Sequence, residues 1–247
     1  MNAVSTKSRN RIHLVARESL ALAGLALLYP LGMFSGRKSS KKIPVDPEPS
    51  FDNQTIVLVH GLMANRSCFL PLESYLRLHG IKSIVHFEYQ SRDGVEVAAR
   101  KLAQFVKRHA QSKRICFVGH SLGGIVAQTY IQLLGGHRKT ERLISIGSPH
   151  QGTYNAYWLA SKVGQNLRPE SNLYKRLVES KDNVNLPFFS IAAESDNIIL
   201  PRESAQQWET RCIEGIGHLG LLWSPTMMNL VLRLIQDDTS TLKKKAI

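Results

Sequence analysis

Three side chains have the types that nucleophilic acyl chemistry requires: Ser121, Asp196 and His218. A serine hydroxyl is a poor nucleophile near neutrality. It becomes effective when an imidazole takes its proton, and the imidazole does so when a carboxylate holds it in the right tautomer. Ser121 stands at the centre of Gly119-His120-Ser121-Leu122-Gly123, a G-x-S-x-G segment with an apolar run at 115–118 before it and a helical pattern at 122–134 after it. Where a strand turns at once into a helix, the central residue is strained and projects above the sheet edge, and glycines two places to either side let neighbouring backbones close in.

The partners follow from position. Of the nine histidines, His218 follows a carboxylate that itself ends an apolar run, and it sits in Gly215-Ile216-Gly217-His218-Leu219-Gly220, a loop supple enough to bring an imidazole to the serine. The acid belongs just after the run at 187–193, where Asp196 is preferred and Glu194, two residues earlier, competes with it. Glu203 and Glu214 read as solvated charges. The negative oxygen of a tetrahedral intermediate needs preorganised donors. The backbone N–H of Leu122, at the positive end of its helix, is one candidate, and that of Leu62, in the loop His60-Gly61-Leu62-Met63, is the other. His60 reads as a brace for that loop, and His60 and His120 are both candidates for the pocket wall.

Elements able to position these groups alternate along the chain. The continuous apolar run at 55–59 reads as a buried parallel strand, and 83–89, 115–118, 143–146, 187–193 and 211–214 read as further strands. Helical spacing at 66–79, 95–109 and 122–134 falls between them, and Ser224-Pro225 opens a last helix ending near 236. Strand, helix, strand, helix predicts an α/β fold, a mainly parallel sheet of about six strands with helices on both faces, spanning 54–236. The stretch 154–186 breaks this rhythm and is read as a short cap over the site. Its Tyr154, Tyr157, Trp158, Leu159, Leu167, Leu173, Tyr174 and Leu177 suit either a long acyl chain or simple packing onto the sheet.

The ends differ from the body. Lys and Arg number 32 against 19 Asp and Glu, a formal charge of +13, and the excess gathers at the termini: Lys7, Arg9, Arg11, Arg17, Arg37, Lys38, Lys41 and Lys42, then Lys243, Lys244 and Lys245. No nucleic-acid-binding motif accompanies this charge, so anionic headgroups are the expected partner and nucleic acid is not. Residues 20–34 are uncharged and mostly apolar behind a basic stretch, a signal or signal-anchor pattern, with a polar linker at 43–53 and a basic tail at 237–247. Fifteen residues rise only about 22 Å as a helix, less than a bilayer core. A small-x-small cleavage site is nevertheless missing after the run. An uncleaved membrane anchor over 1–42 is preferred, with a cleaved signal and a secreted or periplasmic enzyme as the alternative, and a segment packed on the domain as a third. The core is expected to keep its activity without this segment. Cys68, Cys116 and Cys212 form no metal-binding or disulfide pattern.

The segments VLVHGL (Val57 to Leu62), GHSLGG (Gly119 to Gly124), SPHQGT (Ser148 to Thr153) and SDNIILP (Ser195 to Pro201) together resemble bacterial lipases and related esterases of the α/β-hydrolase superfamily. The resemblance covers most of 54–236. It implies a serine hydrolase cleaving carboxylic esters, lipid or other acyl esters, through an acyl-enzyme, with no cofactor. It also implies that the loop carrying His150 borders the pocket, although a structural role for His150 is as good a reading. The chain departs from the full fold in lacking its first two strands and any carboxylate cluster like the calcium site of some lipases, so a minimal, metal-free member is expected. An acyltransferase or thioesterase with the same triad stays open, as does a non-catalytic binding protein of the same fold. Relatives that use a carboxylate nucleophile are disfavoured because Ser121 occupies the elbow.

Overall fold

The computed structural model describes residues 2–35, 54–109, 114–206 and 208–237. The linker expected at 43–53 and nearly all of the basic tail lie outside the described residues.

Six strands, β1 (Gln54–Val59), β2 (Ile84–Phe87), β3 (Arg114–His120), β4 (Thr140–Ile146), β5 (Phe188–Ala193) and β6 (Glu209–Ile213), form one sheet in the order β2-β1-β3-β4-β5-β6. Every pairing is parallel. The strands are the expected runs with shifted ends. β2 stops at Phe87 because Tyr89 turns its hydroxyl back to donate to the His60 carbonyl at 2.8 Å, tying the loop after β2 to the loop after β1.

Alternation along the strands sends side chains into two cores. Val57 and Val59 of β1 and Phe117 of β3 pack with α3 (Val95–His109) and α4 (Leu122–Leu133), while Ile56 and Leu58, with Cys116 and Val118, pack with α2 (Leu70–Leu78) and α7 (Pro225–Gln236). Buried leucine, valine and phenylalanine side chains each contribute roughly 1.5–3 kcal/mol, so the central strands, covered on both sides, hold the sheet rigid beneath the loops at its carboxyl edge. The expected helix at 66–79 divides into a 3-10 turn, Arg66–Phe69, and then α2. Asn65 caps the turn, accepting from the Ser67 amide at 3.0 Å, and Pro71, lacking an N–H, can stand only in the first turn of α2.

The cap exists as two short helices, α5 (Lys162–Leu167) and α6 (Asn172–Glu179), between 3-10 turns. Leu167, Leu173, Tyr174 and Leu177 are buried in the core shared with α3 and α4, whereas Tyr154, Tyr157 and Trp158 stand exposed.

The amino-terminal helix α1 runs from Asn2 to Ser35, well beyond the apolar run that announces it. Its apolar part, Ile12–Met33, is 22 residues, long and apolar enough to cross a membrane. A helix of this kind near an amino terminus serves an anchor and a signal sequence alike. One stripe of α1 rests on the domain: Ala21 is buried, Gly24 lies against Trp223, Leu25 joins the core on the α2 and α7 side, and Asn65 donates to the Tyr29 carbonyl at 2.9 Å.

Candidate active site

The strand order reverses direction between β1 and β3, and in open parallel sheets ligands bind outside the carboxyl ends of the strands at such a point. The loops leaving those two ends are His60-Gly61-Leu62-Met63 and His120-Ser121-Leu122.

Ser121 ends β3 and starts α4, with φ 53° and ψ −121°. A non-glycine residue there is strained, and the neighbouring glycines are what make the turn possible. A Cβ on Gly123 would stand 2.0 Å from the Val59 carbonyl oxygen, and one on Gly119 would stand 2.5 Å from the Gly124 nitrogen. Ser121 is half-buried at the mouth, and Gly61 lies so near it that an added Cβ would be 3.2 Å from the serine Cβ.

Asp196 and His218 are both buried and meet where the loops after β5 and β6 converge. His218 Nδ1 donates to Asp196 Oδ2 at 2.7 Å, while Asp196 Oδ1 accepts from the amides of Ile198 at 2.9 Å and Ile199 at 2.8 Å. Burial pushes the Asp196 carboxyl up, but the hydrogen bond and charge of His218 and the two amides outweigh it and hold the group below the ordinary carboxylate range. A proton on Nδ1 leaves Nε2 of the neutral ring as a base. The competing Glu194 is elsewhere: it is exposed and accepts from the Gly215 amide at 2.9 Å.

Ser121, His218, Leu62, Leu122 and His120 line one cavity of about 480 Å³. The remaining wall is largely apolar, including Leu159, Leu167 and Leu222. Such a volume and lining suit a ligand with an apolar tail and one polar reacting group. His120 lies beside His218, ring centroids 5.0 Å apart, and burial pushes it down to about 3, so it is neutral.

Two of the three histidines considered for the pocket do not line the cavity. His60 is buried, stacked on Tyr89 at 4.5 Å with Nδ1 against the Gly61 carbonyl at 3.0 Å, so it braces the loop. His150 points away behind β4, hydrogen-bonded to Gln128 at 3.0 Å and to Ser145 at 2.8 Å, with Trp208 across its ring. A loop with two polar anchors beneath the sheet edge places the ring in the protein rather than in the pocket, and Pro149 alone of that pair reaches the wall. Among the described residues no group of three or more His, Cys, Asp and Glu is arranged to hold a metal ion.

Sequence reasoning missed Glu18. Its Oε1 accepts from the amides of Gly217 at 3.1 Å and Gly220 at 2.9 Å, and its Oε2 from that of Leu219 at 3.0 Å, so it encloses the loop on which His218 is carried. The signal was present, since Glu18 is the first acid in the chain and stands alone amid basic and apolar residues up to Asp46.

Residues 51–168, a little under half of the chain, match the family described as "Putative serine esterase (DUF676)". Among solved structures the chain is similar to the lipase BlEst2 of Bacillus licheniformis in its mature form, at 16% identity and a TM-score of 0.67, over 78% of this chain and 96% of that one. It is similar to the phospholipase PlaB of Legionella pneumophila at 16% identity and 0.65, over 78% of this chain and 61% of that one. A carboxylesterase structure from the thaumarchaeon Nitrososphaera gargenis matches at 15% identity and 0.57, over 81% and 94%. The fold these matches share with this chain is that of the α/β-hydrolases.

Proposed function

We propose that this chain, an α/β-hydrolase with a serine-esterase-like stretch at 51–168, cleaves carboxylic esters of apolar acyl groups through an acyl-enzyme on Ser121. One observation carries the reading. A strained serine and a buried, carboxylate-bound imidazole open onto the same apolar cavity.

In this mechanism Ser121 Oγ attacks the ester carbonyl carbon while His218 Nε2 takes the hydroxyl proton. Asp196 stabilises the resulting imidazolium and stays ionised, as its three N–H donors favour. The carbonyl oxygen becomes an oxyanion, for which the amides of Leu62 and Leu122 are the donors. The intermediate collapses, the C–O bond to the alcohol breaks, and His218 returns its proton to the departing alkoxide. Water then attacks the acyl-enzyme with His218 again taking a proton, and the carboxylic acid leaves as Ser121 regains its hydrogen. The acyl chain occupies the cavity wall built by Leu159, Leu167 and Leu222. With the apolar α1 and basic amino-terminal residues, this supports a lipid ester met at a membrane surface.

The test is labelling of the full-length protein with a fluorophosphonate, followed by turnover of p-nitrophenyl esters of increasing chain length. Wild type is expected to label at Ser121 and hydrolyse the esters, and Ser121→Ala to do neither while keeping its fold. Labelling of Ser121→Ala at the wild-type level would refute the assignment.

A further inference from the structure

We propose that α1 is a built-in wall and latch of the active site rather than a tether alone: Glu18 fixes the loop that carries His218, and Leu22, Leu25, Ala26 and Tyr29 close the acyl cavity from one side. The inference deepens the ester-hydrolase reading and rests on it.

The latch follows from hydrogen-bond accounting. Three amides of one loop, at Gly217, Leu219 and Gly220, point at one carboxylate, and bonds from N–H to an ionised acceptor are about twice as strong as neutral ones. The loop's composition is fitted to that carboxylate. A Cβ on Gly217 would meet the Glu18 Cδ at 2.5 Å, and one on Gly220 would meet Oε1 at the same distance. Arg17 adds a bond to the Gly215 carbonyl at 3.0 Å. His218 sits inside this bracket, held by Asp196 on its ring and by Glu18 through its backbone neighbours.

The wall follows from the same docking. Glu18, Ala21, Leu25, Tyr29 and Gly32 recur at helical spacing, so one stripe of α1 faces the domain along about 21 Å. At its two ends this stripe touches the His218 loop and Asn65, where a Cβ on Gly32 would fall 2.1 Å from the Asn65 Oδ1. Between them Leu22, Leu25 and Ala26 border the cavity that holds Ser121. The opposite stripe, with Leu20, Leu27 and Leu31, is exposed, as is Met63 at the cavity mouth. A helix docked over that length lies along the domain instead of standing upright from it. Its free apolar stripe then faces away from the domain, toward lipid, while its inner stripe bounds the pocket. An acyl chain reaches Ser121 along a surface that is itself set in lipid.

The experiment uses the full-length protein in detergent micelles as wild type, Glu18→Ala, Glu18→Gln and Ala26→Trp, each assayed on p-nitrophenyl acetate and decanoate. Glu18→Ala is expected to lower kcat on both esters by on the order of 10²-fold, since a loosened base misaligns by an ångström or so, with KM little changed. Glu18→Gln keeps an oxygen for two of the three amides and should recover part of that loss. Ala26→Trp fills the cavity beside α1. Each acyl methylene denied its place costs roughly fourfold in kcat/KM, so the decanoate-to-acetate ratio should fall more than tenfold. If Glu18→Ala lowers thermal stability but folded protein keeps wild-type kcat, the latch is overturned, and an unchanged ratio in Ala26→Trp overturns the wall. This inference reverses the expectation from sequence that the core keeps its activity without the segment: a mature, fully active protein lacking its first thirty-odd residues would overturn both the latch and the wall. Wild type that neither hydrolyses nor labels would sink the hydrolase reading and this inference with it, whereas active wild type with indifferent variants sinks this inference alone.

Discussion

Asp196→Asn exposes the logic of the site because the structure dictates which way the new amide must turn. Asp196 Oδ1 accepts from two backbone amides, Ile198 at 2.9 Å and Ile199 at 2.8 Å. An asparagine keeps its oxygen there, since the alternative sets an NH₂ group against two N–H groups. Its nitrogen then faces His218 Nδ1, where the carboxylate accepted at 2.7 Å, and the ring answers by giving up the proton on Nδ1 and carrying it on Nε2. The nitrogen that must take the serine proton is thereby blocked. By analogy with the same tautomer error in another triad, kcat should fall on the order of 10⁴-fold, about 5.5 kcal/mol of barrier. KM should change little, because the cavity wall is untouched, and the fold should survive, because the Oδ1 bonds do. The assay is steady-state hydrolysis of a short p-nitrophenyl ester, with ¹⁵N shifts of the His218 ring reporting the proton's position. In contrast, Glu194→Gln still accepts from the Gly215 amide and should cost no more than about threefold, a loss within the surface range of well under 1 kcal/mol. A loss below tenfold in Asp196→Asn, or a larger one in Glu194→Gln, would refute the assignment.

Gly123→Ala should destroy the elbow, since its Cβ lands 2.0 Å from the Val59 carbonyl oxygen; loss of soluble folded protein or of fluorophosphonate labelling is expected, and near-normal labelling would contradict it. His120 and His150 are buried and pushed from 6.5 down to about 3, so their neutral forms stabilise the fold fully above pH 6.5 and that stability drains as pH falls toward 3. Each contributes up to roughly 1.4 kcal/mol per pH unit across that window, so the urea midpoint should drop sharply between pH 7 and pH 4.5, and less steeply in His150→Gln. Full-length protein should sediment with membranes and withstand a high-salt wash, because α1 has an exposed apolar stripe besides its basic residues; intact protein in the soluble fraction would count against membrane attachment.

The centre of the sheet was legible because its strands are short continuous apolar runs, a pattern that burial on both faces imposes, and the runs at 55–59 and 115–118 fall within β1 and β3; the edge strand β6, ETRCI, is largely exposed and carries no such run. Ser121 was legible because G-x-S-x-G is a backbone requirement written in residue types: Gly119 and Gly123 sit where a Cβ would strike the neighbouring chain. His218 and Asp196 could be placed by order alone, and their pairing was a matter of geometry. Whether residue 194 or 196 meets the imidazole depends on how the chain turns after β5, which side-chain types do not reveal. The sequence left His150 open between pocket and structure because its partners, Gln128 and Ser145, lie 22 and 5 residues away and are common polar side chains with no spacing rule to join them to it.

Glu18 was the hardest to see, and the reason is physical. The window that announces α1 is hydropathy, and hydropathy averages over the face of a helix. A stripe of Ala21, Gly24 and Gly32 on one side and of Leu20, Leu27 and Leu31 on the other gives the same mean as a uniformly lipid-bathed segment. The two differ in what a lone acid does. In a helix surrounded by lipid an ionised glutamate with no partner is costly by several kcal/mol, so its presence in the 22-residue stretch asks for a set of donors close by. The same chain supplies one: a loop with glycines at 215, 217 and 220, whose amides at 217, 219 and 220 converge on the Glu18 carboxylate. Read together, an acid without a partner and a loop of amides without an acceptor are two halves of one contact about 200 residues apart in the chain. That contact joins the amino-terminal helix to the loop that carries His218.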